Sequence, residues 1–330
     1  MKSNRMTLQD IASLAGVNKM TVSRYLRDPG QVSEQSRATI SRVLEDNHYI
    51  PNRAPEILLG ARSRSLGVLI PSFRNQIFLD VLAGIESVAS AQGYQTLIAH
   101  YEYDPQLEEE KIINLLSYNV DALLLTEKRH TKRTIHSLRA AAIPVAEMMD
   151  ITEHYIDIQV GFDNEKAAIE MTRVLLESGK RHLVYMGAMD DPRDISRFRG
   201  VTMTLTEQGL TALHMAPKAI TSVALGRQLF SDALRILPEL DAVFCTNDDL
   251  AIGVLLECQD RNIAVPQQVA IAGFHGLEIG QANRQKMASV ITPRYQIGQT
   301  ATELILKKLE GKPIPNSVEI DYQIYYGDTV

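Results

Sequence analysis

The chain has 330 residues, 45% of them hydrophobic and 22% charged, a balance that suits two to three soluble domain-sized units with a large core. No apolar run reaches the roughly 18 residues of a membrane span, the first residues lack the apolar core of a signal peptide, and two cysteines, Cys245 and Cys258, give neither a disulfide framework nor a paired metal motif. The net charge of −6 hides an asymmetry: residues 1–64 hold ten basic and six acidic side chains, the remainder 24 and 34, so a basic head sits on an acidic body.

In chain order, Thr7 to Arg24 (TLQDIASLAGVNKMTVSR) reads as two short helices joined by a tight turn, the form of a helix-turn-helix DNA reader. Leu8, Ile11, Ala12 and Ala15 recur at helical spacing. Thr7 is placed to cap the first helix with Asp10 reaching back, Gly16 suits the turn, and Asn18 is placed to cap the second. Lys19, Met20, Thr21, Ser23 and Arg24 then supply the side chains a major-groove helix needs. A solvated αα-hairpin is the alternative, disfavoured by a third helix and a second DNA-type element further along the chain. The third helix is expected from Ser33 through Leu44. After it, YIPNRAP predicts a short helix capped by Asn52 with Pro55 in its first turn. Ile57, Leu58 and Leu59 follow, either docking on the next domain or forming a hinge helix whose leucine wedges into the minor groove.

From Ser65 the pattern is β/α alternation. Strands are expected at Leu66–Ile70, Tyr94–Ala99, Val120–Leu125, Ile143–Met149, Leu183–Gly187, Ala242–Cys245 and Val269–Phe274, with helices between, for example from Asp104-Pro105 through Leu116. Such alternation predicts α/β lobes with parallel sheets covered on both faces. There are too many strands for one sheet, so two lobes would face each other across a cleft at the strands' carboxyl ends. The Glu108-Glu109-Glu110 run reads as a solvated helix face. Gly273, Gly276 and Gly280 have the wrong spacing for a dinucleotide loop and read as turn and helix-start positions. His130, His182 and His275 have no nucleophile motif beside them, and no catalytic, metal or nucleotide signature appears. No enzyme activity and no cofactor are expected.

The segments TLQDIASLAGVNKMTVSRYL, YIPNRAP, GVLIPSFRNQIF, VGFDN, FCTNDDLAIG and VAIAGFHG together resemble the LacI/GalR transcription regulators over essentially the whole chain. KMTVSRYL, PNRAP, GIESV, YQTLIAH, CTNDDLAIG and IAGFHG bring it nearest to the family's gluconate/idonate regulators. The resemblance implies an N-terminal all-α helix-turn-helix headpiece at 1–50, a hinge helix and linker at 51–64, and a two-lobed, periplasmic-binding-protein-like α/β domain at 65–330. The lobes would be roughly 65–161 with 292–322, and 162–291 with 323–330. It further implies a homodimer on a pseudopalindromic operator, a dimer being favoured because the chain stops at Val330 without a heptad helix; the expected compartment, from the missing span and signal peptide, is the cytoplasm. Lys19, Met20 and Arg24 would select bases; Thr7, Thr21, Ser23 and Asn52 would contact the backbone; Leu58 would be the minor-groove wedge. Lysine can donate to guanine and methionine offers apolar contact to a thymine methyl. The effector positions fall on Asn75, Phe78, Phe162, Arg197, Asn247, His275 and Thr292. Sugar-binding members usually carry aspartate after the VAIAGF strand; His275, a potential cation beside Arg197, favours an acid such as gluconate or idonate over a neutral sugar. The expected function is a ligand-responsive regulator, a repressor by family default, of sugar-acid catabolism genes. The alternative is a sugar-acid sensor acting through a protein partner.

Overall fold

The computed structural model describes residues 6–52, 57, 60–187 and 191–330, and the chain divides between Ser63 and Arg64 into two compact units. In the first, α1 (Leu8–Leu14), α2 (Lys19–Arg27) and α3 (Glu34–Asp46) pack around Ile11, Ala12, Val22 and Ile40, all fully buried. Each helix starts at the cap its sequence signals. Thr7 Oγ1 accepts from the Asp10 N–H at 3.3 Å while the Thr7 N–H donates to Asp10 Oδ2 at 2.8 Å, a reciprocal capping box. Asn18 Oδ1 accepts from the Thr21 N–H at 2.8 Å, and Ser33 Oγ from the Ser36 N–H at 3.3 Å. Gly16 makes the turn at φ +63°, a conformation that costs glycine little. The short helix expected after Asn52, with Pro55 and the Leu58 wedge, falls largely on residues 53–56 and 58–59, and Leu58 lies outside the described residues.

The second unit opens with β1 (Ser65–Ile70), α4 (Ile77–Ala89), β2 (Gln95–His100), α5 (Pro105–Ser117), β3 (Ala122–Leu125), α6 (Lys132–Ala141), β4 (Val145–Met148) and β5 (Ile158–Gly161). It continues with α7 (Asn164–Glu177), β6 (Leu183–Met186), α8 (Pro192–Thr206), β7 (Ala212–Met215), α9 (Val223–Ile236) and β8 (Ala242–Cys245). Then come α10 (Asp248–Asp260), β9 (Ala270–His275), α11 (Glu278–Gln281), β10 (Ala288–Ile291), α12 (Arg294–Leu309), β11 (Ser317–Glu319) and β12 (Gln323–Tyr325). The strands form two six-stranded sheets, ordered β11-β5-β4-β3-β1-β2 and β12-β10-β9-β8-β6-β7. Every pairing is parallel except β10 with β12. The chain passes between the sheets after β5, after β10 and between β11 and β12, so the two lobes are joined by adjacent crossovers.

Near-continuous apolar strands explain the double coverage: β3 (ALLL) and β8 (AVFC) are buried along their whole length. Cys245 and Cys258 are buried thiols. Helices α4 and α12 touch backbone to backbone at Gly84 and Gly298, where an added Cβ would lie 2.1 Å from the carbonyl oxygens of Tyr295 and Val81.

Two expectations from sequence are corrected. Gly273 is not at a turn; it lies inside β9, where a Cβ would meet the Asp248 carboxylate at 2.1 Å. The glutamate run is solvated only at Glu110. Glu108 is fully buried and Glu109 nearly so, because the first turn of α5 packs on the loop after β3. There His130 Nδ1 lies 3.0 Å from Glu108 Oε2, and Thr131 Oγ1 donates to Glu109.

Candidate functional site

In the first unit, α2 turns Val22 inward and leaves Lys19, Met20 and Arg24 exposed, with Thr21 and Ser23 half-buried. Residues at positions i, i+1, i+4 and i+5 share one side of a helix, so Lys19, Met20, Ser23 and Arg24 form a contiguous strip. Met20 is 62% exposed, a large apolar side chain that the small core does not claim. Thr21 Oγ1 is tied to Asn18 Oδ1 at 3.0 Å, and Thr7 sits, exposed, at the start of α1. Asn52 is exposed. Free amides at helix starts favour phosphate oxygens, so the unit presents donors around a strip of base-compatible side chains.

In the second unit a cavity of about 50 Å³ lies at the carboxyl ends of strands from both sheets. Residues that follow β1 (Asn75, Ile77, Phe78), β2 (Tyr103) and β4 (Met149) face residues around α8 (Asp191, Arg193, Asp194, Arg197), and those after β7 (Ile220, Thr221), β8 (Thr246, Asn247) and at the end of β9 (His275). Five of the predicted effector residues, Asn75, Phe78, Arg197, Asn247 and His275, thus meet in one cavity.

Arg197 is the most constrained of them. Its guanidinium lies over the Phe274 ring at 3.8 Å. Its Nε donates to Asn164 Oδ1 at 2.9 Å, and Nη1 to the Thr246 carbonyl at 2.7 Å and Oγ1 at 3.1 Å. Among the described residues Nη2 makes no hydrogen bond. Asn164 in turn donates to the Met149 carbonyl and to Asp150 Oδ1, at 3.1 and 2.8 Å, so the aim of Arg197 depends on the loop after β4 in the other lobe. Asn247 is a structural and a cleft residue at once. Its Oδ1 caps α10 through the Leu250 N–H at 3.1 Å, and its Nδ2 donates to Thr221 Oγ1 at 2.6 Å. Asn75 Nδ2 donates to the Tyr103 hydroxyl at 3.0 Å.

Phe162 and Thr292 do not line this cavity. Phe162 is fully buried, its ring 6.1 Å from Phe274 and 6.2 Å from Tyr322, so it supports the ring on which Arg197 lies. Thr292 Oγ1 is 3.1 Å from His275 Nδ1 and orients that ring from behind the cavity wall.

His275 also departs from expectation, because it is not a cation. Burial holds its pKa well below the ordinary imidazole value, and the charges of Arg197, Arg294 and Arg193 push the same way. It is a neutral ring held at φ +95°, a backbone conformation that a histidine occupies only where its surroundings impose it.

The cation missed by sequence reasoning is Arg193. Its Nε and Nη2 donate to Asp191 Oδ1 and Oδ2 at 3.0 and 2.8 Å, and its Nη1 donates to the Thr126 carbonyl of the other lobe at 3.2 Å. The guanidinium carbon stands 5.8 Å from the Phe78 ring centroid. The signal was present: residues four apart on a helix share a face, so Arg193 and Arg197 on α8 belong to one site. Tyr103 and Thr221 carried no such signal, since their partners Asn75 and Asn247 lie 28 and 26 residues away.

A helix-turn-helix unit followed by a two-lobed α/β body with a polar cleft defines a DNA-binding regulator with a small-molecule binding domain. A model of bacterial regulatory proteins of the lacI family matches residues 7–52, and a model of periplasmic binding proteins and the sugar-binding domain of the LacI family matches residues 63–327. The chain belongs to the LacI family of transcriptional regulators, and it is not an enzyme. It is 53% identical to the HTH-type transcriptional regulator IdnR of Escherichia coli (strain K12) and 45% identical to GntR of the same strain, each over 100% of both chains. A solved LacI family transcriptional regulator from Silicibacter pomeroyi superposes with a TM-score of 0.93 at 32% identity, over 98% of this chain and 99% of that one.

Proposed function

We propose that this protein is a cytoplasmic, homodimeric regulator, a repressor by family default, of genes for sugar-acid catabolism, with a gluconate- or idonate-type acid as its effector. The observation that carries the acid is the pair of guanidiniums, Arg193 and Arg197, in one cavity, with Arg197 Nη2 making no hydrogen bond among the described residues. Guanidinium donors match a carboxylate's geometry. The neutral His275 ring, Asn75 and Asn247 then serve the hydroxyls, and Phe78 covers an apolar edge. Anion preference in this reading rests on arginine rather than on histidine.

On the DNA side, Lys19, Met20 and Arg24 read base edges, and Thr7, Thr21, Ser23 and Asn52 hold the backbone. Leu58 serves as the minor-groove wedge of a hinge within 51–64, between a 1–50 headpiece and the 65–330 effector domain. Effector and operator are coupled sites, so the coupling is reciprocal. Calorimetry with D-gluconate, L-idonate and D-glucose, paired with gel shifts on a pseudopalindromic operator, tests the reading. The acids bind and change operator affinity; the hexose does neither. Tight binding of the neutral hexose with none of either acid refutes it.

A further inference from the structure

Asp191 immediately precedes α8 and lines the cleft cavity. Its Oδ1 accepts from the Arg193 backbone N–H at 2.9 Å, capping the helix, and from Arg193 Nε at 3.0 Å; its Oδ2 accepts from Nη2 at 2.8 Å. The Nε and Nη2 edge of a guanidinium is an edge that grips a carboxylate through two parallel bonds. The chain therefore already places a carboxylate on Arg193 in the geometry an acid would adopt. The remaining nitrogen, Nη1, reaches the Thr126 carbonyl beyond β3 of the other lobe, so the fork is fixed across the cleft. An acid that enters this cavity meets the Nε and Nη2 edge of Arg193 already occupied by Asp191.

Resting on the sugar-acid reading above, we propose that Asp191 is an internal competitor for the effector's carboxylate, which displaces it from the Nε and Nη2 edge of Arg193. The exchange trades one charge-assisted pair for another, so Arg193 gains little, while Asp191 loses its counter-ion and keeps only the capping bond. Affinity for acids is thereby held below what two unopposed guanidiniums would give. A neutral polyol has no carboxylate to offer and does not enter the exchange. Asp194, three residues on, is no second competitor, because its Oδ1 takes the Tyr185 hydroxyl at 2.7 Å. Asp150 is likewise held, by Asn164.

The test titrates the full-length protein, Asp191→Asn and Asp191→Ser with D-gluconate, L-idonate and the neutral polyol D-glucitol by calorimetry. Both replacements are good helix caps, and a cooperative thermal transition with retained operator binding establishes that they fold. The acids bind about tenfold or more tighter to both variants, whereas D-glucitol gains no comparable affinity. If the parent binds an acid and the variants bind it equally or more weakly, Asp191 is not a competitor, and the sugar-acid reading stands. If the parent binds neither acid, that reading falls and the inference with it.

Discussion

The buried cluster around His130 makes stability depend on pH in a way the sequence gives no hint of. The ring lies between two carboxylates on different elements, Glu108 of α5 at 3.0 Å from Nδ1 and Glu147 of β4 at 3.8 Å from Nε2. Lys128, 3.8 Å from Glu147, shares the site. Burial alone would favour the neutral ring, but the hydrogen bond to Glu108, with the charges of Glu108 and Glu147, outweighs it and pushes the pKa from 6.5 up to about 9. A raised pKa on a base stabilises the folded chain fully below 6.5 and loses that contribution as pH rises through about 9. At roughly 1.4 kcal/mol per pH unit, the contribution is about 3 kcal/mol. Lys128, whose pKa burial holds down, changes stability in the opposite sense as pH rises, and Glu108, raised chiefly by burial, acts in the acid range. The difference between the parent and His130→Gln isolates the histidine. Urea unfolding followed by far-UV circular dichroism, at fixed protein and salt concentration, is the assay. The parent exceeds the variant by most in mildly acidic buffer, and about 3 kcal/mol of that excess disappears by pH ~10. A parent-minus-variant difference that stays flat across that range means the ring is not charged, and refutes the cluster as described.

Three other outcomes rest on the geometry. Arg197→Met leaves the Thr246 carbonyl and Asn164 Oδ1 without their donor and lowers acid affinity by about 2–5 kcal/mol, read by calorimetry, while operator affinity without acid is kept. Lys19→Ala relaxes base preference by about 1–3 kcal/mol at one operator position, whereas Ser23→Ala weakens all operator variants alike; competition gel shifts separate the two. Thr7→Ala removes the capping box and destabilises the isolated first unit by about 1 kcal/mol, measured as the urea midpoint of a 1–63 fragment, provided that fragment gives a cooperative transition.

What could be read in the sequence was what is local. Caps lie within three residues of the amides they serve, so Thr7, Asn18, Ser33 and Asp104 marked helix starts that the structure repeats. Long apolar runs marked most of the central strands for the same reason, while interior β5 and β10, short and carrying Gln159 and Ser289, did not stand out. Of the edge strands only β2 carried an apolar run that showed. β7 is half-exposed, and β11 and β12 are three residues each, so these three did not stand out. The site was legible where two of its members share a helix, as Arg193 and Arg197 do, and illegible where register between distant segments decides the contact. Nothing in a linear reading joins Glu108 to His130, 22 residues on, or Arg193 to Thr126, 67 residues back. His275 shows the limit from the other side. Its identity suggested a charge, but a charge depends on its surroundings, and burial, reinforced by three arginines brought there from α8 and α12, keeps the ring neutral. The same arrangement that overturns the histidine argument supplies the cations it was meant to provide.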